Sequence, residues 1–306
     1  MASYEVVGTY TSGANIQDAV VVGSEIFAYF RSTSAGIRLR RIDPVALTDI
    51  ALGTSVTAGA RLAYDGTHVW MTRDSTTNLI YRYDPTAFTE TTYAGSTGGF
   101  SNFRRAEGIA FDGSLLWVAN YRNDGTNHPL LGYDPFTQAG VYSNNFSSDN
   151  FGVHWDGTHI WVSDTGADLV RKIDPTAGTI LATVTVGDFP EAVTSGAGSV
   201  WVGNQTGNSV SRIDPATNTV TATISAPSGA QVRTAHFALG LCWFGGQASL
   251  FGIDPATNTV TVTVASVEAE RIIDDGTYLY CLEPTQNRMT KIAKAAVGWV
   301  RGHAWG

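Results

Sequence analysis

One sequence phrase recurs along the chain at intervals of about forty residues. Each copy contains a strand-like segment centred on an aromatic residue, a short polar loop, a second strand-like segment and an Asp-Pro pair. The pairs are Asp43-Pro44, Asp84-Pro85, Asp134-Pro135, Asp174-Pro175, Asp214-Pro215 and Asp254-Pro255. Their spacings are 41, 50, 40, 40 and 40 residues, and a degenerate seventh copy places Ala293 39 residues after Asp254. A repeat of this length with strand chemistry throughout predicts an all-β, seven-bladed β-propeller with four-stranded antiparallel blades.

Each repeat has an aromatic residue in its second strand, where we expect burial between neighbouring blades. These residues are Phe27, Trp70, Trp117, Trp161, Trp201, Trp243 and Tyr280. In the fourth repeat, Asp156-Gly157 predicts a tight turn before the Trp161 strand, and Asp174-Pro175 predicts another turn after the third strand. Asp, Gly and Pro favour turns because Asp bonds the turn backbone, Gly permits positive φ and Pro fixes φ.

The ends of the chain must close the ring. Residues 5–10 alternate like a fourth strand, and Tyr10 precedes Phe27 by 17 residues, as Val184 precedes Trp201. We therefore expect residues 1–10 to complete the seventh blade by pairing near residues 288–292, which would cover an exposed strand edge. The whole chain, 1–306, is then a single domain, and the tail 297–306 either competes for that position or docks elsewhere.

Composition narrows the classes of partner and compartment. The net charge of −8, with three lysines, disfavours nucleic acid, since phosphate binding needs clustered cations. No apolar run is long enough to insert into a membrane. The first residues lack a leader-like pattern, so we expect a virion-associated or cytoplasmic protein. Cys242 and Cys281 lie on the same face of strands in neighbouring blades, which predicts two unpaired, packed thiols.

The repeat resembles a known family. Residues 211–224, Ser-Arg-Ile-Asp-Pro-Ala-Thr-Asn-Thr-Val-Thr-Ala-Thr-Ile, resemble the YVTN-type β-propeller repeat, and residues 253–261 nearly repeat them. The likeness implies a propeller and surface or extracellular roles. The chain is also distantly similar to virginiamycin B lyase-like propellers, whose Pro-His-Gly-Ile step and magnesium ion imply a lyase. The matching steps here, 106–109, 190–193 and 269–272, carry glutamate in place of that histidine.

Residues at the start of each first strand are expected to ring one mouth of the central channel. The charged members are Asp18, Arg61, Glu107, Glu191, Arg233, Glu270 and Arg271. Carboxylates in such a ring could hold a hard cation, and no other cofactor is indicated. Interleaved arginines favour surface ion pairs instead. His154 and His236 fall at equivalent strand positions that take Ala or Ile in other blades, which predicts packed histidines.

The third repeat is longer than its neighbours in two connections. Six residues are added before its first strand and four between its second and third strands, in the segments 93–105 and 120–129. Repeat proteins tend to place insertions on the binding face, although neutral drift in loop length is an alternative. The added residues include recognition types common at interfaces: Phe100, Phe103, Arg104, Arg105, Tyr121, Arg122, Asn127 and His128.

Two hypotheses about function follow. The first is a recognition or structural propeller without enzyme activity, which binds a protein or a glycan through the face with the long third-blade connections. A tail or decoration protein of a phage virion would suit this composition. The second is a metal-dependent lyase or hydrolase at the channel mouth. A cation held by at least two of Glu107, Glu191 and Glu270 would favour the enzyme.

Overall fold

The computed structural model describes residues 4–31, 37–56, 61–72, 79–94, 106–120, 128–137, 139–146, 149–247 and 249–295. These residues form seven four-stranded antiparallel sheets, which are the blades of a β-propeller. Blades one to three comprise β2 (Asn15–Val22), β3 (Glu25–Arg31), β4 (Ile37–Asp43) and β5 (Thr48–Val56); β6 (Leu62–Tyr64), β7 (Val69–Thr72), β8 (Leu79–Asp84) and β9 (Thr89–Ala94); and β10 (Ala106–Phe111), β11 (Leu116–Asn120), β12 (His128–Asp134) and β13 (Ala139–Phe146).

The remaining blades follow the same plan. Blades four to six comprise β14 (Asn150–Trp155), β15 (Ile160–Asp164), β16 (Leu169–Ile173) and β17 (Ile180–Thr185); β18 (Pro190–Gly196), β19 (Ser199–Asn204), β20 (Ser209–Asp214) and β21 (Thr219–Ser225); and β22 (Thr234–Ala238), β23 (Leu241–Gly245), β24 (Ser249–Asp254) and β25 (Thr259–Ala265). Blade seven comprises β26 (Arg271–Asp274), β27 (Leu279–Glu283), β28 (Arg288–Lys294) and β1 (Tyr4–Thr11). Single 3₁₀ turns occur at Thr165–Ala167 and Pro284–Gln286.

The N-terminal strand closes the ring, as the sequence predicted. Strand β1 runs antiparallel to β28, with Tyr10 opposite Met289 and Glu5 opposite Ala293. The first strands of the blades contact one another in order around the centre, and β26 of the last blade meets β2 of the first. The tail 297–306 lies outside the described residues.

The seven repeat aromatics are buried, which confirms the register read from the sequence. Each is at most 1% exposed. The aspartate of the turn before the aromatic strand accepts a hydrogen bond from the indole, at 2.7 Å for Asp65–Trp70 and 2.6 Å for Asp156–Trp161. In blade five the carbonyl oxygen of Gly196 accepts from Trp201 instead, at 3.1 Å.

Buried cations join neighbouring blades at the Asp-Pro turns. Lys172 of blade four donates to the carbonyl oxygen of Pro215 in blade five at 2.8 Å, and its Nζ lies 5.5 Å from the centre of the Trp161 ring. Lys291 of blade seven makes the same bond to Pro44 of blade one at 2.8 Å. Each seam of this kind therefore satisfies its buried charge within the protein.

The two cysteines are unpaired and buried, as predicted. Burial raises the pKa of the Cys242 and Cys281 thiols, because the thiolate loses solvation. They therefore pack as small apolar groups.

Candidate functional site

The starts of the first strands surround a cavity of about 370 Å³ at one mouth of the central channel. Its charged lining residues come from five blades: Arg61, Glu107, Glu191, Arg233, Glu270 and Arg271. These are six of the seven ring residues predicted from the sequence. Asp18 is fully buried beside the cavity rather than in its lining.

β-Bulges in two of the first strands set the direction of the Glu107 and Glu191 side chains. In blade three, Ala106 pairs with Asn120 and Gly108 with Ala119, which leaves Glu107 as the extra residue of a β-bulge. In blade five, Glu191 is the extra residue between the pairs Pro190–Asn204 and Ala192–Gly203. A bulge redirects the side chain of its unpaired residue, and here both glutamates line the cavity.

Two of the three glutamates are paired with arginines from the adjacent blade. Glu107 lies 3.1 Å from Arg61 of blade two, and Arg61 also donates to the Glu107 carbonyl oxygen at 2.9 Å. Glu270 lies 3.0 Å from Arg233 of blade six. These side chains are 18–28% exposed, so the pairs lie at the solvated edge of the cavity.

Asp18 is satisfied from three directions. Its carboxylate accepts from Arg271 of blade seven at 2.7 Å, from the backbone of Leu62 in blade two at 2.7 Å and from the backbone of Ala19 at 2.9 Å. Its side chain is fully buried. Since these partners belong to different blades, Asp18 links blade one to both of its neighbours, blades seven and two.

Glu191 is the exception in this ring. The residue is 7% exposed, yet among the described residues its carboxylate forms neither a hydrogen bond nor an ion pair within 4 Å. Burial raises the pKa of Glu191 to about 7, a rise that the charges of Arg233 and Arg61 oppose and those of Glu270 and Glu107 reinforce. Its carboxyl group therefore changes charge near neutral pH.

The acidic side chains of the ring are mostly engaged in ion pairs. Within the described part of the chain, no group of three or more His, Cys, Asp and Glu side chains is placed to hold a metal ion. Glu107 and Glu270 are each paired with an arginine. The ring is an ion-paired rim with one carboxylate left over.

Most of the predicted third-blade contact residues lie outside the described residues. They are Phe100, Phe103, Arg104, Arg105, Tyr121, Arg122 and Asn127, together with the side chain of His128. The ends of the two long connections are described: β10 begins at Ala106 opposite Asn120, where β11 ends. Both connections therefore leave the blade on the face that carries the channel mouth.

The opposite ends of the inner strands carry a different set of polar groups. His154 and His236 lie opposite Trp161 and Trp243, so they occupy equivalent positions, as predicted. His154 Nε2 lies 2.8 Å from Ser195 Oγ of blade five, and His236 Nε2 lies 2.5 Å from Asp274 Oδ2 of blade seven. Burial lowers the pKa of His154 to about 4, which keeps its ring neutral.

Sequence reasoning placed the ring residues together but missed their pairing. It also missed the polar partners of the two histidines. The one signal present was the count of charges: the ring has four carboxylates and three arginines, so one carboxylate must lack an arginine of its own. Which carboxylate is left over depends on which carboxylate each arginine reaches from the neighbouring blade, and the repeat pattern does not reveal this.

Comparison with known proteins supports the fold. No family model matches the chain, and no curated protein matches it. A chain in a crystal structure of the mitotic checkpoint complex is similar in structure, with a TM-score of 0.78 at 13% identity. The likeness covers 96% of this chain and 93% of that one. At this identity the likeness concerns the propeller architecture alone.

The described residues contain no helix that is both long and apolar enough to cross a membrane.

Proposed function

We propose that the chain is a recognition module without enzyme activity, and that it binds a partner protein through the face around the channel mouth. The observation that carries this proposal is the shared position of two features. The 370 Å³ cavity and the described ends of both lengthened connections of blade three, at Ala106 and Asn120, lie on the same face of the ring. Binding sites on repeat propellers concentrate where insertions collect on one face.

Three further points support a protein partner, and the first two favour it over a glycan. The cavity rim carries charges of both signs, which suits the complementary charges of a protein surface. The structurally similar chain of the mitotic checkpoint complex is part of an assembly of proteins. The aromatic and arginine residues predicted in the connections, such as Phe103, Arg105 and Tyr121, are the types that dominate interface energy.

The narrower family and setting are also proposals. Strands β20 and β21 and the turn between them hold residues 211–224, the segment that resembles the YVTN-type repeat. This placement in the outer half of a blade supports descent from such propellers. A tail or decoration role in a phage virion stays a prediction from the composition.

The test uses peptides selected from a random displayed library on the intact protein. The segments 95–105 and 121–127 are then shortened by six and four residues, which brings blade three to the length of blade four. We expect the shortened protein to fold and to lose binding of the selected peptides, since surface loops tolerate changes in length. Ala216→Arg changes an exposed turn on the opposite face and serves as the control. Unchanged peptide binding by the folded, shortened protein would refute the proposal.

A further inference from the structure

The charges around the channel mouth leave one carboxylate without a partner. Each of the three arginines of the ring pairs with a carboxylate: Arg61 with Glu107, Arg233 with Glu270, and Arg271 with Asp18. Glu191 belongs to none of these pairs, although it is more than nine-tenths buried and lines the cavity. A buried, ionisable group without a partner is costly and marks a candidate binding position.

We propose that Glu191 anchors the ammonium group of a lysine side chain that a partner protein inserts into the channel mouth. This inference rests on the proposed recognition function and names the chemistry of its central contact. One negative charge is left unpaired in the cavity, so the ligand expected there carries a single positive charge at the end of a flexible chain.

The shape and lining of the cavity suit such a stem. Ile109, Val153 and Val193 line it beside Glu191, so part of its wall is apolar. A lysine buries its four methylene groups along apolar surface and presents a compact charge at its tip. The volume of about 370 Å³ is at the small end of ligand pockets, which suits a side chain better than a folded loop.

The supply of acceptors favours an ammonium group over a guanidinium group. Guanidinium carries five N–H donors in a fixed plane and needs several acceptors. Near Glu191, the carboxylates of Glu107 and Glu270 already accept from Arg61 and Arg233. An ammonium ion has three rotatable donors and can bind one carboxylate while the others turn towards water.

Binding should also depend on pH through the same carboxyl group. The raised pKa of Glu191, about 7, means that its charge is largely lost in mildly acidic solution. The groups that face it are Arg61 and Glu107 on one side and Arg233 and Glu270 on the other. Lysine-like amines stay charged throughout this range. The affinity for an amine should therefore rise with pH up to and beyond 7.

The test uses n-butylammonium, which needs no partner protein, on isotope-labelled full-length protein followed by NMR. We expect saturable binding at about pH 8, with shifts near residues 191–193, and weaker binding of both n-butanol and butyrate. Glu191→Gln should weaken amine binding by about tenfold or more, the loss expected for one charge-assisted hydrogen bond. Glu5→Gln alters an exposed carboxylate on β1 and should change nothing.

Several results would overturn the inference. They are equal amine binding by the Glu191→Gln variant, preference for butyrate, and equal or tighter binding of an alkylguanidinium probe. If the variant does not fold, the unaltered protein still decides, because its amine affinity must fall between about pH 8 and pH 5.5. The two proposals can fail separately. If the protein with shortened connections still binds the selected peptides, the proposed recognition face is wrong, whereas amine binding by the intact protein would still support the Glu191 site.

Discussion

Asp18 and Glu191 are two buried carboxylates on opposite sides of the same channel mouth, and they differ in how they are satisfied. Asp18 accepts hydrogen bonds from Arg271, Leu62 and Ala19, which join three blades. Glu191 is 7% exposed and makes no comparable bond among the described residues. The charge of Asp18 therefore stabilises the closed ring, whereas the charge of Glu191 is available to a ligand.

The largest expected effect on the free energy of unfolding comes from substitution of Asp18, the carboxylate whose hydrogen bonds are satisfied. Asp18→Asn removes the charge that neutralises Arg271 and turns an amide donor towards other donors. We expect a loss of about 3 kcal/mol in the free energy of unfolding, since removal of one partner from a buried pair leaves the other uncompensated. Denaturant unfolding at pH 8 measures it. Glu191→Gln is the matched change, and it should leave stability equal or higher. Equal losses of unfolding free energy in the two variants would show that Asp18 and Glu191 do not differ in their contribution to stability.

The second prediction concerns the pH dependence of stability. Because the pKa of Glu191 is raised to about 7 in the folded protein, the folded state binds more protons than the unfolded state between its ordinary pKa and 7. Glu191 thus supports stability in acid, and this support is lost as pH rises through 7. The change is on the order of 3 kcal/mol, at about 1.36 kcal/mol per pKa unit.

This effect is read as the difference between the wild type and Glu191→Gln at each pH. His154 acts with the opposite sign, because its pKa is lowered and stability falls as pH drops below its ordinary value. It contributes equally to both proteins, so the difference isolates Glu191. Parallel stability curves for the two proteins would show that Glu191 has an ordinary pKa.

The third prediction extends the comparison to a buried cation. Lys291 is 8% exposed and is bonded to the Pro44 carbonyl oxygen across the seam that closes the ring. Lys291→Met should lower the free energy of unfolding by about 2 kcal/mol, the scale of a hydrogen bond from a charged group. Lys294→Met, in the same strand but exposed, is the control. A similar small loss in both would mean that the bond across the seam contributes little.

The smallest effect is expected where the charges are paired but solvated. Glu270 and Arg233 are 26% and 28% exposed, so their 3.0 Å pair is partly screened by water. Glu270→Gln should therefore cost only about 0.5–1 kcal/mol, and less at high salt. Unfolding measured at low and high ionic strength tests this. A loss as large as that of Asp18→Asn would contradict the ranking by burial.

Much of the fold could be predicted from the chain because its rules are local and repeated. In four blades, including that of Trp161, an Asp-Gly turn lies five residues before the aromatic, and this constant spacing sets the register of the first two strands. The closing strand followed from a second spacing, that of Tyr10 to Phe27. The starts of the first strands could also be placed, and six of the seven charged residues expected there line the cavity, whereas Asp18 is buried beside it.

The pairing of charges was decided by the tertiary structure. Asp18 meets Arg271 across 253 positions of sequence, and their contact exists only because the ring closes. Glu191 has no ion pair because Arg61 pairs with Glu107 and Arg233 pairs with Glu270. The sequence alone determined seven blades and the residues at their centre, because turn chemistry and strand periodicity act over a few residues. Which of those residues are satisfied depends on distances between blades, and these are set by the closed ring.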